Sequence, residues 1–247
     1  GRDLARDLSG SAHVVGFVLD RLPRENAAAA TPTAATAGTA QVAAGETLAE
    51  ESGAFVRRVP VALVRPALDD CKPTHVALKD GDRVLVAADR GGVAKALMKR
   101  LAKRGVTCLA VEDAPDAATL AERIAGFLAA GPIRGVYWLP ALDAEGEPAD
   151  LAGWREALRV RVKLLYATMR ALGEDFAGPG TFLVTATRLG GRHGYDAAGP
   201  PSPMGGAVTG FAKAFARERA ETLVKAVDFA AQDKAAPVAD RLIAETL

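Results

Sequence analysis

The sequence has little cysteine, little histidine and few aromatic residues, and each scarcity excludes a class of protein. Its 247 residues include two cysteines and three histidines. Cys71 and Cys108 lie far apart, without the spacing of a metal site or a disulfide framework, which favours reduced thiols and predicts no metal. Aromatic residues make up 5% of the chain while alanine is abundant, a composition typical of helix-rich α/β domains.

An excess of charge of one sign and long apolar runs are also absent. Lys and Arg number 31 and Asp and Glu 30, so no bulk field favours nucleic acid or an anionic membrane. No apolar stretch reaches the roughly 18 residues that a membrane span needs, and no signal peptide precedes the first apolar run. We therefore predict a cytoplasmic protein that binds neither nucleic acid nor membrane. Because the sequence begins with Gly1, we expect an excised piece or processed product of a longer chain.

The first 53 residues differ in composition from the rest of the chain. Residues 1–24 have mild helical character and one apolar cluster that Pro23 closes. Residues 26–53 consist mostly of Ala, Thr, Gly and Glu, and bury too little apolar surface to offset chain entropy. We predict that residues 1–53 are the end of a preceding element plus a flexible interdomain linker, and that residues 54–247 are one domain.

Residues 82–111 have the pattern of a strand, a turn, an amphipathic helix and a second strand. The first strand is an unbroken apolar run, as expected of a strand buried on both faces. Apolar residues then recur at helical spacing from Val93, with lysines and arginines on the opposite face, and Gly105 ends the helix. This pattern predicts the opening βαβ unit of a nucleotide-binding type of sheet.

Similar alternation continues to the end of the chain and predicts an α/β fold. The predicted strands are residues 83–88, 106–111, 135–139, 181–185 and 223–229, and the predicted helices are 93–103, 117–128, 151–172, 204–216 and 235–247. Such alternation implies parallel strands, right-handed crossovers and helices on both faces. Only one helix separates the second strand from the third, so we predict a truncated Rossmann-like sheet. A further strand at residues 55–64, interrupted by Pro60, is predicted to lie at an edge.

The glycine turn at the end of the first strand decides whether this unit can bind a dinucleotide. Gly91 and Gly92 are present, but Ala88 and Ala94 stand where the first and last glycines of the binding pattern would be. Asp89 adds a negative charge beside the phosphate position. We therefore favour a structural turn. If the unit does bind cofactor, Arg90, Gly91 and Gly92 would hold the phosphates.

A ribose hydroxyl would then bind to Asp113, which follows the second strand, although a turn residue flanking a helix is the commoner role. Loop residues 188–203 hold His193 and Tyr195, and we favour packing or surface roles for both. If the chain is a reductase, Thr185 or Thr187 would orient the substrate, Tyr195 would be the acid, and Lys213 would lower its pKa. Tyr195 and Lys213 lack the i,i+4 spacing that places two residues on one helix face.

The order of elements resembles the short-chain dehydrogenase/reductase superfamily, and within it the ketoreductase regions of modular polyketide synthases and multidomain fatty-acid synthases. The resemblance covers residues 54–247, but the catalytic motifs differ. Tyr137, Trp138 and Leu139 stand where the third strand should end in a cluster of small residues, and residues 185–187 stand where the fourth strand should end in Ser-Ser. Met204 and Val208 stand at the tyrosine motif, and methionine has no acidic proton to give.

The resemblance implies a structural subdomain without catalytic residues or a bound cofactor. Its partners would be the catalytic ketoreductase half, which binds NADPH, and other domains of the same synthase, with an acyl carrier protein as an indirect partner. The resemblance leaves open whether the parent makes a polyketide or a polyunsaturated fatty acid. A compact, atypical NADPH-dependent short-chain reductase remains the alternative.

Overall fold

The computed structural model describes residues 71, 73–145, 150–195, 199–200 and 202–247, and the backbone alone of residues 17–21, 58–62 and 174–175. The predicted linker at residues 26–53 lies outside these ranges. Strand β1 (Phe17–Arg21) pairs with β2 (Arg58–Ala62) in a two-stranded sheet. Residues 18–21 and 58–61 belong to one compact unit of the chain, and the larger sheet belongs to the other.

Strand β1 corrects, for residues 17–21, the prediction that residues 1–24 have helical character, and the rest of that range lies outside the described residues. Its residues include Phe17 and Val18, and aromatic and β-branched side chains are enriched in strands. Strand β2 lies inside the predicted strand at residues 55–64 and contains Pro60. A two-stranded sheet leaves one side of each strand unpaired, which tolerates the missing proline N–H.

The main sheet has five parallel strands in the order β4-β3-β5-β6-β7. They are β3 (Arg83–Ala87), β4 (Thr107–Val111), β5 (Gly135–Trp138), β6 (Phe182–Thr187) and β7 (Leu223–Asp228). After β4 the chain crosses over β3 to form β5, and β4 is left at the edge. The truncated Rossmann-like sheet is therefore confirmed, and the gap between β3 and β5 is its topological switch point.

Helices cover both faces of this sheet. They are α1 (Val93–Ala102), α2 (Ala117–Ala129), α3 (Leu151–Leu158), α4 (Leu164–Leu172), α5 (Met204–Glu218) and α6 (Ala235–Thr246). One buried cluster joins α1 and α6 to one face, and a second joins α2, α4 and α5 to the other. Alternate residues of β3 enter the two clusters, Val84 and Val86 in the first and Leu85 and Ala87 in the second. No helix in the described ranges has the length and apolar character of a membrane span.

The single helix predicted at residues 151–172 is three segments, because a π-helix (Arg159–Lys163) separates α3 from α4. The Leu164 N–H donates to the Arg159 carbonyl oxygen, five residues back. Trp138, at the end of β5, donates its indole N–H to the Arg161 carbonyl oxygen over 2.9 Å. A side-chain donor inserted into the helical ladder is a recognised cause of such widening. In the unit of the main sheet, the other predicted bounds lie within two residues of the observed ones.

Candidate functional site

A cleft of about 460 Å³ lies at the carboxyl ends of β3, β4 and β5, on the topological switch point. In open α/β sheets ligands bind at this position. Two arginines, Arg90 and Arg161, line the cleft. Its six carboxylates belong to Asp89, Glu112, Asp113, Asp143, Glu145 and Glu156. The predicted cofactor residues Arg90 and Asp113, which follow the neighbouring strands β3 and β4, therefore line one cleft, but six of its eight charged residues are acidic.

The turn between β3 and α1 is organised by Asp89. Its carboxylate accepts hydrogen bonds from the backbone N–H groups of Val93, at 3.1 Å, and Ala94, at 2.7 Å. Gly92 precedes α1 with φ of +85°, a conformation that favours glycine. These N–H groups at a helix N-terminus are the ones that a bound phosphate needs. The protein's own carboxylate therefore occupies the phosphate position.

A second carboxylate takes up the next backbone donor of the turn. The Arg90 N–H donates to Oδ1 of Asp143 over 2.8 Å, while the Arg90 side chain is exposed. Desolvation raises the pKa of Asp143, the Arg90 N–H lowers it, and the charge of Asp89 raises it further. The turn thus holds two carboxylates that repel each other, which is unfavourable for adding an anionic ligand.

Asp113, the predicted ribose acceptor, forms a bidentate ion pair with Arg123, with distances of 2.6 and 3.1 Å. The hydrogen bond from Arg123 lowers the pKa of Asp113. Glu156 forms a similar pair with Arg159, both distances being 2.7 Å. Both carboxylates line the cleft, and both already accept hydrogen bonds from a neighbouring guanidinium.

Two cleft residues that the sequence analysis missed form a buried ion pair. Nε of Arg161 lies 3.6 Å from Oε1 of Glu145, and these two atoms have no hydrogen-bond partner in the described part of the chain. Oε2 of Glu145 accepts from the Met204 N–H at 3.3 Å, and Nη2 of Arg161 donates to the Asp143 carbonyl oxygen at 3.1 Å. The pair links the β5 loop, the π-helix and the start of α5. The available signal was a charged residue on the predicted apolar face of residues 151–172.

Asp228, at the end of β7, organises the other half of the sheet edge. Its Oδ1 accepts from the Thr187 hydroxyl at 2.7 Å and from the Leu189 N–H at 2.6 Å. Its Oδ2 accepts from the His193 N–H at 2.9 Å. The Thr185 hydroxyl donates to the Lys225 carbonyl oxygen at 3.4 Å. The two threonine hydroxyls considered for substrate orientation therefore make internal hydrogen bonds.

The remaining predicted catalytic residues do not line the cleft. Tyr195 is 43% exposed, and Lys213 is exposed on α5. Desolvation and then the charge of Arg217 lower the pKa of Lys213. His193 has φ of +53°, and its pKa is lowered by desolvation, with Asp228 opposing that shift and Lys213 adding to it. The catalytic roles considered for Tyr195 and Lys213, which apply only if the chain is a reductase, stay predictions, as does the packing or surface role of His193.

Met204 lies at the start of α5, where the resemblance places the catalytic tyrosine. It is buried, lines the cleft and has no group that donates a proton to a carbonyl oxygen. Val208, one turn later, is also buried. Across the described residues, no three His, Cys, Asp or Glu side chains are grouped so as to hold a metal.

Solved structures define the fold class as that of the short-chain dehydrogenases/reductases. A metagenomic short-chain oxidoreductase in complex with NADP matches with a TM-score of 0.56 and 17% identity, over 68% of this chain and 91% of that one. A glucose/ribitol dehydrogenase from Brucella melitensis matches with a TM-score of 0.54 and 14% identity, over 66% and 88%. A 3-ketoacyl-(acyl-carrier-protein) reductase from Brucella melitensis, complexed with NADH, matches with a TM-score of 0.50 and 18% identity, over 60% of this chain and 74% of that one. These identities show the fold alone; no family model and no curated protein matches the chain.

Proposed function

We propose that this chain is a structural, non-catalytic subdomain of the β-ketoacyl reductase region of a multidomain polyketide or fatty-acid synthase. It supports a catalytic half of the same synthase, which reduces β-keto intermediates on an acyl carrier protein with NADPH. The observation that carries the proposal is the Asp89 carboxylate on the Val93 and Ala94 N–H groups. In this fold class those donors belong to the cofactor's phosphates.

The cleft does not fit a dinucleotide on three further grounds. A pyrophosphate would enter a space lined by six carboxylates and two guanidinium groups. Displacing Asp89 would leave that carboxylate without the hydrogen bonds it now accepts, close to the like charge of Asp143. Both oxygens of Asp113, the residue suited to a ribose hydroxyl, accept from Arg123. These contacts support a segment that does not bind the dinucleotide itself.

The equivalent of the catalytic centre supports the same proposal. Met204 replaces a proton donor at the start of α5, and the Thr187 hydroxyl donates to Asp228. The cofactor and the proton donor would both come from the other half of the synthase. On this proposal the segment contributes a rigid parallel sheet, and its partners are the catalytic half and neighbouring domains.

One observation favours the alternative, an atypical NADPH-dependent short-chain reductase. The pKa of Lys213 is lowered, and the charges of Lys213 and Asp228 both act on His193 in the loop that also holds Tyr195. Lowered lysine pKa values occur at catalytic sites. His193, Tyr195 and Lys213 do not line the cleft. In the turn beside the cleft, Asp89 already accepts from the N–H groups that a cofactor phosphate would need. We therefore rank the alternative second.

Titration calorimetry with NADPH tests the proposal. We expect no saturable binding to the full chain, and binding once the chain is fused to the catalytic half that the proposal places in the same synthase. Asp89→Ala frees two N–H groups and is expected to show weak binding by the chain alone. Asp116→Ala, which removes the equivalent cap of α2, is the matched control and should bind nothing.

Micromolar NADPH binding by the unaltered chain would contradict the proposal. The alternative would then be tested by carbonyl reduction in the Tyr195→Phe and Lys213→Ala variants. Loss of activity in both, with binding retained, would identify an atypical reductase.

A further inference from the structure

Helix α3 is ordered but contributes no buried residue to the core. Leu151 is 60% exposed and Trp154 is 44% exposed, and they lie one turn apart. The Asp150 side chain accepts from the Gly153 N–H over 2.6 Å and caps the helix. Among the described residues, these large apolar side chains on a helix without buried residues form an unpartnered surface. We call Leu151 and Trp154 the α3 apolar pair.

The α3 apolar pair borders the cleft. Trp154, Ala157 and Val160 line the cleft, and so do Val111 and Leu120, which belong to the core. Leu151 does not line the cleft, and it lies one turn before Trp154. An occupant that contacts both the cleft and Leu151 must therefore extend beyond the cleft.

The outer edge of the cleft is acidic. Glu112, Asp113 and Glu156 line it, and we call these three the acidic rim. Arg123 and Arg159 partly neutralise Asp113 and Glu156. Glu112 is exposed, and no residue in the described ranges forms an ion pair or hydrogen bond with its side chain. The rim therefore favours a cation and disfavours an anionic ligand or an acidic peptide.

We propose that the cleft and the α3 apolar pair form a docking site for a basic peptide segment of a partner protein. An apolar side chain of that segment packs on Trp154 and Leu151, and a neighbouring Lys or Arg faces the acidic rim. Apolar side chains both in the cleft and beside it fit a polypeptide, and the charge of the rim selects a basic one. Tryptophan is enriched among the residues that dominate binding energy, and charged rims mainly set specificity and association rate. The inference does not depend on membership of a synthase.

The experiment uses the full chain and three fluorescently labelled synthetic peptides of equal length: one of Lys and Leu, one of Glu and Leu, and one of Lys and Ser. We expect saturable fluorescence anisotropy with the first alone, weakening as salt is added. Trp154→Ala should weaken binding about tenfold or more, and Glu112→Gln about threefold. Both residues are exposed, so these changes leave the core intact.

Matched controls come from the same chain. Tyr166→Ala removes another exposed aromatic residue and Glu122→Gln another exposed acid, and neither residue lines the cleft. Both should bind the Lys/Leu peptide as the unaltered chain does. A second readout is intrinsic fluorescence. The chain has two tryptophans, and the buried Trp138 also lines the cleft, so a binding-induced shift in emission reports on Trp154 when Trp154→Ala abolishes it.

Four results would overturn the proposal. They are no saturable binding of the Lys/Leu peptide, equal binding of the Glu/Leu peptide, unchanged binding by Trp154→Ala, and self-association of the chain that Trp154→Ala abolishes. The last would assign the surface to a second copy. None of these results bears on NADPH binding, so failure here and failure of the proposed function are distinguishable.

Discussion

The two halves of the sheet's carboxyl edge are both held by an aspartate, but with different results. At β3, Asp89 accepts from two backbone N–H groups at the start of α1. At β7, Asp228 accepts from one hydroxyl and two backbone N–H groups of the loop after β6. Each aspartate thus holds backbone N–H groups at the carboxyl edge of the sheet.

The difference between the halves lies in what surrounds the aspartate. Asp228 draws the loop of Leu189 and His193 onto the end of the sheet, and its partners are all internal. Asp89 leaves a cleft of about 460 Å³ beside it, with further carboxylates around the opening. The two aspartates therefore differ in whether an open cleft adjoins the segment that they hold, and only the Asp89 turn borders one in the described part of the chain.

The largest expected effect is that of Asp228→Ala. The change removes the acceptor of three hydrogen bonds and leaves the Leu189 and His193 N–H groups without it in a partly buried loop. Hydrogen bonds to charged groups contribute more than neutral ones, so we expect a loss of about 3 kcal/mol in the free energy of unfolding. Urea unfolding followed by circular dichroism measures this change.

Asp233→Ala is the control for that prediction. Asp233 is in the same region, but its carboxylate accepts a single backbone hydrogen bond, from the Ala230 N–H at 3.2 Å. It also forms an ion pair with Arg241 at 3.6 Å. We expect Asp233→Ala to lower the free energy of unfolding by about 1 kcal/mol or less. Equal losses in the two variants would mean that Asp228 does not organise the loop.

Asp89→Ala should have a smaller effect than Asp228→Ala. It removes the cap of α1, which typically costs about 1 kcal/mol, but it also removes a charge that repels Asp143. Asp116→Ala removes a cap with the same number of backbone N–H partners, and its charge has no such acidic neighbour among the causes of its pKa shift. The loss in unfolding free energy should therefore be smaller for Asp89→Ala. A larger loss for Asp89→Ala would show that Asp89 stabilises the chain beyond its hydrogen bonds to the start of α1.

Much of the fold follows from the sequence because the strands and helices of this unit have strong periodicity. The unbroken apolar run of β3 and the single helix between β4 and β5 predict the parallel order and the truncation. The strand β1 and the π-helix were not predicted. A short apolar run is ambiguous between helix and strand, and the π-helix accompanies a tertiary contact of Trp138, at the end of β5, with the Arg161 carbonyl oxygen.

The candidate site was predictable in its location and less so in its contacts. Substituted glycines and the charge of Asp89 indicated that the turn is altered, but not that Asp89 caps α1. The Glu145–Arg161 pair joins two segments that are brought together by the crossover after β5, and no local pattern encodes it. The same holds for Asp228, which lies 41 residues from Thr187 in sequence.

The half of the sheet edge held by Asp228 contains His193, which should make the stability of the chain depend on pH. Desolvation lowers its pKa below the ordinary 6.5, so the unfolded chain binds a proton first as the pH falls. The contribution of the neutral His193 side chain to the free energy of unfolding is therefore fully present above about pH 6.5. It is lost as the pH falls from there towards the pKa of His193 in the folded chain. His193→Asn, which tolerates the positive φ, should reduce the loss between pH 7.5 and 5.5, as measured by urea midpoints. An equal loss in both proteins would place the titrating group elsewhere.

The smallest expected effect is that of Asp143→Asn, and its sign tests the electrostatics of the cleft. Desolvation and Asp89 raise the pKa of Asp143, so its charge destabilises the folded chain at neutral pH. Asparagine keeps the oxygen that accepts from the Arg90 N–H and removes the charge, which should stabilise the chain by a few tenths of a kcal/mol at pH 7. The gain should shrink as the pH falls through the folded pKa of Asp143, because the unaltered side chain is then protonated as well. Destabilisation at pH 7 would instead mean that attraction to Arg90 and Arg161 outweighs the cost of desolvation, and the cleft would then be less acidic in effect than its lining implies.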